Sequence, residues 1–380
     1  MKIGIPKEIY QGETRVALIP QSVKKIIAKG CEVLVESGAG EKSFFSDKDY
    51  EECGAKIIKD PASLFSSSDL IIKIRKPENN EINLMKEGAG LVSLLYPITN
   101  SDTVKRLTSK KISSFSLDSI PRITRAQSMD VLSSMATVAG YKAVLIAANL
   151  LPKFFPMLMT AAGTVPPAKV FIIGAGVAGL QTIATARRLG AVVEAFDTRP
   201  IVKEQTESLG AKFIQVDLSG EQTEGSGGYA KEVSKELQTK INELLGKHVK
   251  KSDVIITTAL IPGKKAPILI TEAMVKEMQT GSVIIDLASE QGGNCEVTEP
   301  EKQVVKHGVT ICGFTNLPAL MPYHASQMFS KNMENVINHL INKEGQMNLD
   351  LSDEINKGAL ITHKGEIIQE SIKKQLVGVS

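Results

Sequence analysis

Residues 169–198 leave the chain little choice of fold. Val170-Phe171-Ile172-Ile173 is a short apolar run that reads as a buried parallel strand. A glycine-rich turn follows at once, Gly174-Ala175-Gly176-Val177-Ala178-Gly179. Residues 180–189 then carry a helical pattern that Gly190 stops. A second apolar run, Ala191-Val192-Val193-Glu194-Ala195-Phe196, ends in Asp197. Strand, glycine turn, helix, strand and acid in that order are the pattern of a dinucleotide-binding unit.

Each residue type has a physical reason to be there. Gly174 permits the tight turn, Gly176 lets the backbone approach a pyrophosphate, and Gly179 allows close packing of helix on strand. The helix N-terminus offers free N–H groups and a positive dipole end to the phosphates. At the tip of the second strand, the Asp197 carboxylate can accept from both ribose hydroxyls of an adenosine. A 2′-phosphate there would meet like charge, which favours NAD(H) over NADP(H). Arg199 argues the other way, because an arginine can hold a 2′-phosphate.

A length of 380 residues suggests two or three domains. Apolar content of 42% and charged content of 23% suit a globular chain with a full core. The net charge of +3, with both signs mixed throughout, gives no reason to expect a nucleic-acid partner. Cys31, Cys53, Cys295 and Cys312 form no C-x-x-C pair and read as reduced thiols of a cytosolic protein. The histidines form no helical pair suited to a metal, so no metal is expected. Residues 1–6 run straight into a strand pattern, which argues against a signal peptide. The charge-free tract 154–168 is broken by Pro156, Pro166 and Pro167 and is too short for a bilayer. The chain is therefore expected not to span a membrane, although it could dock on a protein that does.

The rest of the pattern is an α/β alternation, which implies parallel sheets. Strands are expected at 2–5, 31–36, 55–58, 70–74, 91–95 and 112–117, with helices at 20–29, 47–53 and 61–66. Residues 126–151 read as one long helix with small residues at 136–140, a connector between two domains with a cleft beside its start. Residues 152–167 read as a proline-punctuated crossover. Further strands are expected at 213–216, 254–257, 283–286 and 309–312, with helices at 230–245, 271–278 and from about 326 to 341. The glycine-rich stretch 219–229 reads as an exposed loop. Two apolar runs about Lys364-Gly365 signal a hairpin. The expected domains are 1–130 with about 326–380 returning to it, and 145–325.

Several stretches resemble the alanine dehydrogenase and transhydrogenase superfamily: Gly4-Ile5-Pro6-Lys7-Glu8, Glu13-Thr14-Arg15-Val16-Ala17, Gly38-Ala39-Gly40, Ile285-Asp286-Leu287-Ala288 and Gln291-Gly292-Gly293-Asn294. More specific are Pro121-Arg122-Ile123-Thr124-Arg125-Ala126-Gln127-Ser128-Met129-Asp130, the run from Met159 through Gly163 to Ala168, and Thr257-Thr258-Ala259-Leu260-Ile261-Pro262-Gly263. These look like the NAD(H)-binding component, domain I, of Re/Si-specific, proton-translocating NAD(P) transhydrogenase, in the bacterial form where it is a separate subunit. The resemblance implies two Rossmann-like domains joined by the long helix. It implies NAD(H) on this chain and direct hydride transfer to NADP⁺ on a partner domain. Proton translocation would belong to the transmembrane partner. It further implies a homodimer held at the cytoplasmic face of the inner membrane through those partners.

By position, the resemblance assigns Arg122, Gln127, Asp130 and Ser133 to the nicotinamide side, with Ile123, Thr124 and Leu132 beside them. It adds Ala175, Val177, Thr198 and Arg199 to the glycines and Asp197 as nucleotide contacts. It matches Gly228 and Tyr229 to a closing loop, and Leu260 to a segment near the adenosine. The chemistry agrees without the name. A hydride passing between two nicotinamides needs no acid or base, only proximity, orientation and exclusion of water. Gln127 can donate and accept at once, and Asp130 can pair with Arg122 and fix its rotamer. The same residues would also serve an ordinary polar, capped helix start.

The main rival is an alanine dehydrogenase, with a saccharopine-dehydrogenase-like activity as a weaker variant. Arg15 suits a substrate carboxylate, but the family's lysine and histidine fall where this chain has Arg75 and Tyr96. An arginine cannot deprotonate, and a tyrosine is a poor proton donor near neutrality. A third reading is an NAD(H)-binding subunit with no turnover.

Overall fold

The computed structural model describes residues 1–216, 234–260, 265–342 and 345–377. The chain forms two compact units, Met1–Met135 with Ala319–Ser380, and Ala136–Pro318. The first unit holds strands β1 (Lys2–Ile5), β2 (Glu32–Glu36), β3 (Lys56–Ile58), β4 (Leu70–Ile72), β5 (Gly90–Ser93) and β6 (Ser113–Ser116). The second holds β7 (Leu158–Thr160), β8 (Gly163–Val165), β9 (Lys169–Ile173), β10 (Val192–Phe196), β11 (Lys212–Ile214), β12 (Val254–Thr257), β13 (Val283–Asp286), β14 (Gln303–Lys306) and β15 (Val309–Cys312). The chain then returns to the first sheet with β16 (Leu360–His363) and β17 (Glu366–Ile367).

The first sheet has the order β17-β16-β6-β5-β4-β1-β2-β3, and the second β11-β10-β9-β12-β13-β15-β14. From β3 to β6, and from β11 to β15, every neighbouring pair is parallel. Both sheets therefore wind outward in two directions from a central pair, β1 with β4 and β9 with β12. Ligands of doubly wound sheets bind beyond the carboxyl ends of such a pair. Beyond these runs β14 pairs antiparallel with β15, β16 with β6 and β17 with β16. Lys364 and Gly365, at φ 48° and 86°, make the expected two-residue hairpin turn between β16 and β17.

The second sheet is covered on both faces. Val170 and Ile172 pack with Ala143, Val144 and Ala147 of the helix Val131–Leu150. Phe171 and Ile173 point the other way, against Leu237, Ile241 and Leu245 of the helix Lys235–Val249. Burial on both faces explains the apolar runs 170–173 of β9, 254–256 of β12 and 283–285 of β13. The helix Val131–Leu150 is long and apolar enough to cross a membrane, but its small apolar residues serve this core. Gly140 is a point of close approach within this layer. A Cβ there would lie 2.3 Å from Ala178 O, on the helix Val177–Arg188.

The structure differs from the sequence reading at the start of this long helix. It begins at Val131, not at residue 126, and a 3₁₀ turn, Thr124–Met129, precedes it. Asp130 is the reason, because its carboxylate caps the helix: Oδ1 accepts from Ser133 N–H at 2.9 Å and Oδ2 from Ser133 Oγ at 2.6 Å. Residues 152–167 likewise contain a small exposed hairpin, β7 with β8, within the expected crossover.

Candidate functional site

In the second unit the glycine turn leaves β9 at the central pair. Gly174 takes φ +101°, and its N–H donates to Phe196 O at 2.8 Å. Its carbonyl accepts from Thr258 Oγ1 at 3.0 Å, which ties the turn to the end of β12. Gly179 is fixed by contact: a Cβ there would stand 1.9 Å from Gly174 O. Gly176 caps the helix Val177–Arg188, and a Cβ on it would meet, among the described residues, only Arg199 Nη2, at 3.8 Å. With respect to the described residues, the backbone at Gly176 and the exposed Val177 are therefore open at a helix N-terminus, which fits a pyrophosphate. Ala175 is fully buried beneath this turn.

Asp197 ends β10 and binds the turn directly. Its Oδ2 accepts from Ala175 N–H at 2.7 Å and from Arg199 Nη2 at 2.7 Å. Its Oδ1 accepts from Arg199 N–H and Nε, both at 2.9 Å. The Arg199 guanidinium is thus turned onto the carboxylate, and half-buried Thr198 lies between the two.

The segment leading to Leu260 is shaped by two residues to which the sequence alone assigns no role. Asn294 Oδ1 accepts from Ala259 N–H at 3.0 Å, and Asn294 Nδ2 donates to Ala259 O at 2.9 Å. Asp286, fully buried at the end of β13, accepts from Thr257 Oγ1, Ala288 N–H, Asn294 N–H, Cys295 N–H and Thr298 Oγ1 at 2.8–3.0 Å. The motif residues Asp286 and Asn294 are thus a scaffold for 257–260. Their signal in the sequence is a buried-strand acid followed by a glycine pair.

In the first unit, Arg122, Ile123, Thr124 and Gln127 lie on one short irregular stretch, and Leu132 and Ser133 on the first turn of the helix that Asp130 caps. The side chains of Arg122, Thr124 and Gln127 are exposed, while Ala126 and Met129 are buried beneath them. Gly228 and Tyr229 lie outside the described residues. Among the described residues, no group of three or more His, Cys, Asp or Glu is placed to hold a metal. Cys295 and Cys312 are free thiols whose pKa burial raises to about 11.

Residues 4–139 match the family described as Alanine dehydrogenase/PNT, N-terminal domain, and residues 143–370 match its C-terminal domain. The chain belongs to the alanine dehydrogenase/PNT family. It is 49% identical over 382 residues to the first part of NAD(P) transhydrogenase subunit alpha of Rhodospirillum rubrum, covering 99% of this chain and 100% of the relative. It is 35% identical over 330 residues to alanine dehydrogenase 2 of Staphylococcus aureus, covering 85% of this chain and 82% of that one. A solved transhydrogenase from Sinorhizobium meliloti superposes with a TM-score of 0.86 at 40% identity, covering 98% of this chain and 100% of that structure. The family and the glycine-turn geometry together support an NAD(H)-binding role.

The first unit repeats the winding order of the second, so the place beyond β1 and β4 is the corresponding position in the first sheet. Here it is filled by the chain's own charges. Glu13, fully buried, accepts from Arg15 Nε at 2.7 Å and Nη2 at 2.6 Å, and from Arg75 Nε at 3.2 Å. Burial raises the Glu13 pKa, but Arg15 and Arg75 outweigh that and hold it at about 2. The Arg75 guanidinium also lies 4.9 Å from the centre of the Tyr10 ring. Beside them, Glu8 accepts from Ile74 N–H at 2.6 Å, and Lys73 is buried with Glu81 at 2.7 Å. Both arginines thus have a carboxylate partner within the chain.

Proposed function

We propose that the chain is the NAD(H)-binding subunit of a proton-translocating NAD(P) transhydrogenase and passes a hydride from NADH to NADP⁺ on a partner domain. The observation that carries this reading is the 49% identity to the Rhodospirillum rubrum transhydrogenase chain across effectively the whole of both proteins. Arg75 and Tyr96, in place of the lysine and histidine of an amino-acid dehydrogenase, support it, as does the pairing of Arg15 with Glu13.

The bound nicotinamide supplies the hydride; the chain supplies grip, orientation and exclusion of water. In this reading the N–H groups at Gly176 and Val177 hold the pyrophosphate, and Asp197 exchanges part of its Arg199 contact for ribose hydroxyls. Arg122, Gln127, Asp130 and Ser133 attend the nicotinamide, with Ile123, Thr124 and Leu132 packed beside it. Leu260 borders the adenosine, and Gly228 and Tyr229 contribute to closure. NADP(H) belongs to the partner, and no metal takes part. The chain works as a homodimer docked on transmembrane subunits at the cytoplasmic face of the inner membrane.

Rapid mixing with NADH and the NADP-loaded partner separates grip from transfer. Gln127→Asn shortens the reach toward the nicotinamide and should slow hydride transfer about tenfold or more while leaving NADH affinity within about twofold. Asp197→Ala should instead weaken NADH binding by about tenfold, the loss of a charge-assisted hydrogen bond. Unchanged transfer in the first variant would remove Gln127 from the site, and unaltered affinity in the second would end the ribose role of Asp197.

A further inference from the structure

The turn that carries Gln127 is fastened from the far end of the chain. Asn332 and Asn335 stand three residues apart on the helix Pro322–Leu340 and so share a face. Both donate an amide N–H to the same acceptor, Ser128 O, at 2.8 and 3.0 Å. A carbonyl oxygen has two lone pairs, and filling both from a rigid helix fixes the plane of the peptide that follows. On the other side of Gln127, Arg125 Nη1 donates to Asp353 Oδ2 at 2.6 Å. Asp353 is itself immobilised as the N-cap of Glu354–Ala359, accepting from Ile355 N–H at 2.8 Å and Asn356 N–H at 3.2 Å. Gln127 is therefore bracketed at 125 and 128 while its own side chain stays exposed.

One observation separates this from ordinary helix packing. Asn332 is 8% exposed, and its Oδ1 is buried with no hydrogen-bond partner among the described residues. A buried amide oxygen without a donor is unfavourable, and a leucine of similar size would avoid it. What the asparagine provides, and a leucine does not, is the N–H on Ser128 O.

We infer that Asn332 and Asn335, backed by the Arg125–Asp353 pair, are positioning residues that set Gln127 for hydride transfer. The inference rests on the proposed role of Gln127 at the nicotinamide.

The test is Asn332→Leu, alone and with Asn335→Ala, in the full chain assayed with its NADP-binding partner. Asn332→Leu removes the orphaned oxygen along with the donor, so the fold and its Tm should be kept. The double variant should transfer hydride about tenfold to a hundredfold more slowly, the scale of a small misplacement of a reacting group. NADH affinity should stay within about twofold, and amide exchange over 124–130 should accelerate while the helix Pro322–Leu340 stays protected. A purely structural role would lower Tm and spare the transfer rate of the folded protein. Wild-type transfer rates, or unchanged exchange over 124–130, in the folded double variant would overturn the inference. Should the wild-type chain itself transfer nothing, the functional reading fails, and the exchange arm alone decides whether these amides hold the turn.

Discussion

Glu13 shows how a single side chain can close a site. Its carboxylate receives two guanidinium groups in a buried setting, and its pKa falls from an ordinary 4.5 to about 2. A depressed carboxyl stabilises the fold at pH values above its unfolded pKa, and that stability drains away as pH falls from about 4.5 through about 2. The difference corresponds to about 3 kcal/mol. Urea unfolding at a series of acidic pH values should therefore show an extra loss of stability in the wild type that Glu13→Gln lacks. Parallel pH curves for the two proteins would contradict it. Asp197 is the counterpart in the second unit. It too is paired with an arginine, but at the mouth of a glycine turn.

Among the elements, the strand–turn–helix of 169–188 is legible in the sequence because every requirement falls on one short stretch. Val254–Thr257, Val283–Asp286 and Val309–Cys312 are equally plain, since strands buried on both faces are predominantly apolar. β6 is the harder strand. Its serines are buried, and Ser114 is satisfied by Thr362 of β16 at 2.7 Å, a partner far along the sequence. Sequence spacing starts the long helix too early because Ala126 and Met129 continue its apolar spacing; Asp130 is a cap residue by type, but which turn it ends shows only in three dimensions. The same holds for the supports of the candidate site: nothing local to Asn294 or Asn332 announces which backbone group it will hold. The glycine turn itself gives an element-scale test. In Gly179→Ala the new Cβ meets the Gly174 carbonyl, a backbone atom that cannot swing aside. The variant should lose about 2 kcal/mol or more of stability, with weakened NADH binding. Unaltered Tm and NADH affinity would contradict the close approach.

At the scale of the whole molecule, two sheets of the same winding order have been put to different uses. The central pair of the second unit keeps a glycine turn, an open helix N-terminus and a carboxylate. The central pair of the first is filled with buried ion pairs, Glu13 with Arg15 and Arg75, and Lys73 with Glu81. A chain built this way is suited to hold a dinucleotide in its second unit, and the proposed function places the acceptor on another protein. The most direct measurement is an acceptor test: purified chain with NADH, followed separately with pyruvate plus ammonium and with NADP⁺ in the presence of its NADP-binding partner. Hydride should reach NADP⁺ only when the partner is added, with pyruvate inert. Pyruvate-dependent oxidation of NADH by the chain alone would contradict it and make this an amino-acid dehydrogenase.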